Sequence, residues 1–188
     1  MRSCFLLFAA TTIIFFASAG CSSKQDESGS GEQDSRKDTT NLTRVGDKVP
    51  SFSVITTEGK QISTINTEGK VLVLNFFATW CGPCMKELPH FESEVRRQFK
   101  DKRLVAICIG REHSLEELKQ FEKEKGFELP MAPEPQRNIY KKFATRYIPR
   151  NYVVGKDGRI KYQSIGYGEE EFGRMIDVIQ KELLNQIQ

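Results

Sequence analysis

Two cysteines, Cys81 and Cys84, stand two residues apart where an apolar run gives way to a helical pattern. A pair at that spacing suits reversible disulfide chemistry, in which a thiolate attacks a disulfide sulfur. Position decides which thiol attacks. The run Val71 to Ala78 has the composition of a buried strand. After it, Met85, Leu88, Phe91, Val95 and Phe99 recur at spacings of three and four, one face of a helix. Cys81 is therefore predicted at the helix N-terminus, where the dipole and free N–H groups favour a thiolate. Cys84, one turn on, is placed to resolve the mixed disulfide. Gly82 lets the turn close and Pro83 suits the first helical turn.

Other chemistry fits the same residues. A Cys-x-x-Cys can be half of a zinc site. Only Cys108, His90 and His113 remain as further ligands in the exported region, and none forms a paired spacing. The pair could also be a structural bridge, although so small a loop adds little chain-entropy stabilisation. Glu87, three residues after Cys84, is either part of the site or a solvated helix residue. Neither a metal nor an organic cofactor is expected.

The elements that must hold the pair follow from pattern. Phe52 to Thr56 and Gln61 to Ser63 read as a hairpin around Glu58-Gly59-Lys60. Leu104 to Ile109 is a second buried strand, with Cys108 as a small hydrophobe inside it. Ser114 with Glu117 forms a capping box for a helix ended by Gly126. A short extended piece from Phe127 to Met131 and a short helix from Gln136 to Phe143 come next. Pro149 precedes the apolar strand of Tyr152 to Val154, Gly155-Lys156-Asp157-Gly158 turns the chain, and Ile160 to Ile165 pairs back. A closing helix, Glu169 to Gln186, has Phe172, Met175, Ile176, Ile179 and Leu183 on its inner face. Pro89 should kink the first helix. Strands alternating with helices predict an α/β three-layer sandwich with a mixed sheet.

From about Val45 to Gln188 the chain resembles the thioredoxin superfamily. The likeness rests on Trp80 directly before Cys81, Gly82-Pro83 between the cysteines, and Pro89 five residues after Cys84. Thioredoxin has a buried Asp where this chain has Asn75, and Glu87 is instead typical of the membrane-anchored TlpA/ResA-like thiol–disulfide oxidoreductases. That branch implies a thioredoxin-like α/β/α sandwich with an N-terminal hairpin extension and a central helix–strand insertion, about Ser114 to Met131. It also implies a cis Ile148-Pro149 peptide facing the cysteines, Gly166 bordering the substrate groove, Trp80 shielding the site, and Glu87 assisting proton movements. Electrons would come from a membrane dithiol donor of DsbD or CcdA type and pass to disulfides of envelope proteins, apocytochrome c cysteines among them. Gly82-Pro83, with no His between the cysteines, favours a reductase. A thiol peroxidase of peroxiredoxin type is the rival activity, because the opening Gly46-x-x-x-Pro50-x-Phe52 is shared with peroxiredoxins. Their Pro-x-x-x-Thr-x-x-Cys setting is missing, since the eight residues ending at Cys81 contain no proline. A non-catalytic binding lipoprotein is the other alternative.

The N-terminus adds a compartment. Arg2 and the apolar stretch Cys4 to Ala19 read as an export signal, residues 1–20, too short for a confident membrane span. Ala19-Gly20-Cys21 resembles a lipobox, so Cys21 is predicted to carry lipid and hold the protein on a membrane in the cell envelope. Ser18 departs from the usual aliphatic residue there, and an ordinary secretory signal is the alternative. Residues 21–44, rich in Gly, Ser and charge, read as a tether; the stretch from Ser22 to Arg44 would span roughly 25–30 Å on average. Residues 45–188 form the domain. With 38% apolar and 28% charged residues and a net charge of +3, the chain can build a core and has no basic stripe for nucleic acid.

Overall fold

The computed structural model describes residues 39–185. The signal-like stretch, Cys21 and most of the tether lie outside them, as does the predicted end of the last helix. A five-stranded sheet of order β5-β4-β3-β6-β7 forms the centre. Its strands are β3 (Val71–Phe77), β4 (Leu104–Arg111), β5 (Met131–Glu134), β6 (Arg150–Val154) and β7 (Ile160–Ile165). β3, β4 and β5 run parallel, whereas β6 is antiparallel to both β3 and β7. A separate hairpin pairs β1 (Ser53–Ile55) with β2 (Gln61–Ser63). The helices are α1 (Gly82–His90), α2 (Leu115–Lys125), the single turn α3 (Tyr140–Phe143) and α4 (Glu169–Leu184).

β3 is buried along its whole length, which is why it reads as an unbroken apolar run. Val71, Val73 and Phe77 face one core with Leu88 of α1, Leu118 and Phe121 of α2, and Met175 and Ile179 of α4. Leu72, Leu74 and Phe76 face the other, closed by the hairpin and α3. Aromatic rings dominate that second core, with Phe143 and Tyr152 centroids 4.9 Å apart. The long helices thus share one face, and the third layer is the hairpin with one helical turn. The hairpin and α2 are where the sequence put them, as are the capping box of Ser114 and Glu117 and the left-handed Gly126.

Several boundaries differ. The extended piece predicted to end at Met131 begins there instead, because Met131 is where pairing with Cys108 of β4 starts. The helix predicted from Gln136 forms only at Tyr140. Arg137 sits at φ +55, and Glu134 caps the turn through the backbone N–H groups of Ile139 and Tyr140. Pro89 does not end its helix. Lacking an N–H, it removes one bond of the ladder, and the chain continues over Phe91–Arg97 as a wider π-helical turn.

The packed chain also begins before Val45. Thr40 and Thr43 are buried. Leu42 N–H donates to Phe143 O at 2.9 Å, and Thr145 N–H to Thr40 O at 2.9 Å. The fully buried guanidinium of Arg150 donates to Thr40 Oγ1 at 2.6 Å and to Asn41 Oδ1. The predicted tether therefore ends sooner than Arg44, because a buried cation on β6 needs acceptors that this segment supplies.

Candidate active site

β3 leads directly into the site. Cys81 caps α1: its backbone is extended (φ −89°, ψ 108°), and its Sγ accepts the Cys84 N–H at 3.3 Å. Pro83 occupies the first turn, where no N–H partner is needed. Cys81 and Cys84 are joined in a disulfide with Cα atoms 5.3 Å apart, so the molecule is in its oxidised form. Cys81 keeps 5% of its surface exposed and Cys84 none.

Around Cys81 the chain builds a groove of about 570 Å³, lined by Trp80, Gly82, Pro83, Tyr147 and Ile148 and by Arg111, Arg137 and Arg146. The Ile148–Pro149 peptide is cis, and Ile148 O lies 3.6 Å from Cys81 Sγ. Gly166, at φ +78, donates its N–H to Pro149 O at 2.8 Å. Trp80 is 62% exposed, and the Arg111 guanidinium lies 5.4 Å from its ring centroid. It stands on the groove's rim. Thr79, just before Trp80, is held by His113, whose Nε2 accepts its N–H at 2.9 Å. The His113 proton is thus on Nδ1, which faces Glu117 Oε2 at 3.8 Å. Burial pushes the His113 pKa down.

Behind the disulfide lies a polar row that crosses the sheet. Cys108, Asn75, Asn151 and Ser164 are register partners on β4, β3, β6 and β7. Glu87 descends onto this row from α1, only 1% exposed. Its Oε2 accepts from Asn75 Nδ2 at 2.8 Å and its Oε1 from Asn151 Nδ2 at 2.5 Å. Asn75 Nδ2 also donates to Asn151 Oδ1 at 2.8 Å. Burial lifts the Glu87 pKa from its ordinary 4.5 to about 7, against the lowering effect of the two amides and of His90. Asn75 Oδ1 is buried without a partner among the described residues, and a protonated Glu87 has an O–H to give. The Cys108 thiol, fully buried, is pushed well up by burial and then by Glu87.

Trp80, Cys81, Gly82, Pro83 and Ile148 line the groove; Pro149 and Gly166 are joined to each other by one hydrogen bond and are not among its lining residues, and Glu87 is buried in the polar row. Sequence reasoning missed Asn151, Arg150 and the three groove arginines. A signal for the first two existed: Arg150-Asn151 opens an otherwise apolar strand directly after Pro149. Arg150 holds the loop before that strand, donating to Arg146 O at 2.8 Å and Tyr147 O at 3.3 Å. Tyr140 Oη adds a bond to Tyr147 O at 2.5 Å. This grip keeps Tyr147 at φ +73, a left-handed conformation that costs a bulky residue of order 1–3 kcal/mol.

The model of the AhpC/TSA family matches residues 45–163. The chain belongs to the AhpC/TSA family. Within it, the "Thiol-disulfide oxidoreductase ResA" of Bacillus thuringiensis (strain Al Hakam) is 30% identical over 128 residues, 68% of this chain and 73% of that protein. The protein of the same name from Bacillus subtilis (strain 168) is 26% identical over 115 residues, 61% of this chain and 64% of that one. A solved structure from Bacteroides thetaiotaomicron, named as a candidate protein disulfide isomerase, superposes with a TM-score of 0.74 at 33% identity, covering 78% of this chain and 94% of its own. StoA from Bacillus subtilis shares the fold with a TM-score of 0.59 at 23% identity, over 69% of this chain and 99% of its own. This AhpC/TSA member is a thiol–disulfide oxidoreductase of ResA type with a thioredoxin-like fold, and it holds Cys81 and Cys84 joined as a Cys-x-x-Cys pair.

Two outcomes follow from the geometry. The folded protein holds the Glu87 proton up to about pH 7, whereas the unfolded chain releases it near 4.5. Its contribution to stability is therefore full below pH 4.5 and lost as pH rises through about 7. Glu87→Gln removes this loss. Between pH 4.5 and 8, urea unfolding of the oxidised protein should move in favour of the variant by about 3 kcal/mol, at about 1.4 kcal/mol for each pH unit from 4.5 to 7. Parallel pH curves for the two proteins would refute the raised pKa. In the reduced protein, iodoacetamide at neutral pH should modify Cys81 well before Cys84 and Cys108, read by peptide mass mapping; faster labelling of Cys84 would reverse the assignment of the nucleophile.

Proposed function

We propose that the protein is an exported, lipid-anchored reductase of disulfides in envelope proteins, apocytochrome c cysteines being one fitting substrate. The observation that carries this is the asymmetry of the pair: Cys81 sits at a helix start in an open groove, and Cys84 is sealed from solvent, three residues before the buried Glu87 on the same helix. The Cys81 thiolate attacks one substrate sulfur, and the substrate disulfide breaks as a mixed disulfide forms. The released substrate thiolate takes up a proton. Cys84 then loses its proton and attacks Cys81 Sγ, which frees the second substrate thiol and leaves the Cys81–Cys84 disulfide. Two electrons and two protons thus pass from the protein dithiol to the substrate. Glu87, poised near pH 7, accepts and returns the Cys84 proton. Ile148 and Pro149 hold the substrate strand across Cys81, and Gly166 leaves that approach open. A membrane dithiol protein of DsbD or CcdA type restores the pair.

The direction follows from thiolate stability. The gap between thioredoxin near −270 mV and DsbA near −120 mV is roughly 7 kcal/mol, and much of it reflects how strongly the reduced form is stabilised. Helix N-terminus and groove arginines favour the Cys81 thiolate and ready it for attack. Burial of Cys84, the Gly82-Pro83 spacer and an ionised Glu87 above pH 7 limit that stabilisation. A dithiothreitol titration read by Trp80 fluorescence should give a potential nearer that of thioredoxin than that of DsbA; one more positive than about −180 mV, the disulfide-isomerase range, would overturn the reductase direction.

Ala19-Gly20-Cys21 supports the anchor. Cys21→Ser should release the protein from the membrane fraction or block its processing in an expressing host. Equal recovery of native and variant chains in the soluble envelope fraction would remove the lipid reading.

A further inference from the structure

The groove beside Cys81 carries a charge that thiol exchange itself does not require. Arg111, Arg137 and Arg146 line it and no carboxylate does. The nearest acids stand outside the lining. Glu112 Oε2 is 3.2 Å from Arg111, and Glu112 Oε1 is 3.7 Å from Arg137. Glu134 is buried and spends one oxygen on two backbone N–H groups. Three guanidiniums therefore share the pull of one exposed and one buried carboxylate. Arg146 is exposed, and among the described residues the Tyr147 ring, 5.1 Å away, is what is set against it. Arg111 is 9% exposed, and its Nε has no hydrogen-bond partner among the described residues. Burying a guanidinium with an unused donor is costly unless a ligand completes it.

The positive charge is also held in place. Arg111 lies against the rings of Trp80 and Tyr140, at 5.4 and 5.1 Å. Arg137 faces the Tyr140 ring at 5.2 Å and donates to Thr145 O at 3.1 Å. The loop bearing Arg146 and Tyr147 is fixed from below by Arg150. Fixed, planar donors beside the exposed rings of Trp80 and Tyr147 suit carboxylates on an extended polypeptide.

We infer that this groove selects substrates by charge: it binds an acidic peptide segment, rich in Asp and Glu, that flanks the target disulfide. The inference rests on the reductase reading above and names the substrate class of that same site. Segments approaching Cys81 past Ile148 would lay their flanking carboxylates against Arg137 and Arg146, with Arg111 reached from the Trp80 side. Rim charges of this kind act mostly on encounter rates and are weakened by salt.

The test uses the reduced protein and peptides with one internal disulfide, identical except for flanks of Asp-Glu, Ser-Gln or Lys-Arg. Second-order rates of reduction are followed by stopped-flow Trp80 fluorescence. At low salt the acidic peptide should react about tenfold faster than the neutral one, and the basic peptide slower. The acidic-to-neutral ratio should fall towards one in about 0.5 M salt and in Arg137→Gln/Arg146→Gln. It should persist in Lys102→Gln/Lys125→Gln, which removes the same charge from exposed sites outside the groove. An acidic peptide no faster than the neutral one, a ratio that survives loss of the two arginines, or one that falls equally in the lysine variant would overturn the groove. The neutral peptide separates the two levels: its reduction without an acidic preference removes the charge selection alone, and its failure to react removes the reductase reading and the selection with it.

Discussion

Everything chemical in this molecule is fixed by where one doubly buried strand is allowed to stop. β3 has no solvent face, so its side chains must satisfy a helix layer on one side and an aromatic core on the other. Its last residues cannot drift without moving both cores. Cys81 follows within one turn of its end, and the backbone that leaves the sheet there goes straight into α1. Cys81 thus inherits the rigidity of a strand buried along its whole length, the kind of support that holds a side chain in one position.

The same strand explains the polar row beneath the disulfide. Asn75 occupies a position that packing would give to an aliphatic residue, between Val73 and Phe77 on the α1 face. A lone buried amide there is a liability. Asn151 in register on β6 and Glu87 from α1 turn it into a bonded network. Two neutral amides can hold a carboxyl without neutralising it, so desolvation dominates and the group titrates near neutrality. An arginine in place of either amide would have kept it ionised and useless as a proton acceptor at neutral pH. The sheet pays in packing for a tunable acid.

What the sequence disclosed and what it hid divide along physical lines. Local chemistry was legible: the capping box, Gly126, the Cys81 cap with Pro83, and the apolar stripes of α1 and α4 are all set by neighbours within a turn or two. The burial of Glu87 was foreshadowed only by resemblance, because on a helix wheel it could equally have been solvated. Asn151 was hidden since its meaning comes from a residue on another strand, and strand register is a property of the whole sheet. The groove arginines come from the end of β4, the approach to α3 and the loop before β6; no spacing rule links them. The chain's true N-terminal boundary was hidden for the same reason. Thr40, Asn41 and Thr43 are polar and read as tether, yet Thr40 and Thr43 are buried, and Thr40 and Asn41 accept from a distant cation.

That buried cation has a practical consequence for anyone who trims the protein. A chain cut at Val45, where the apolar pattern begins, would keep every strand and helix of the sheet. It would also strip Arg150 of the acceptors that Thr40 and Asn41 provide, each such bond to a charged group being worth about 1.5–3 kcal/mol. Arg150 would then be left with the carbonyls of Arg146 and Tyr147, the loop that faces Cys81. Fragments designed from hydropathy alone would thus keep the disulfide while loosening the loop beside it, and measurements made on them would describe a differently supported groove.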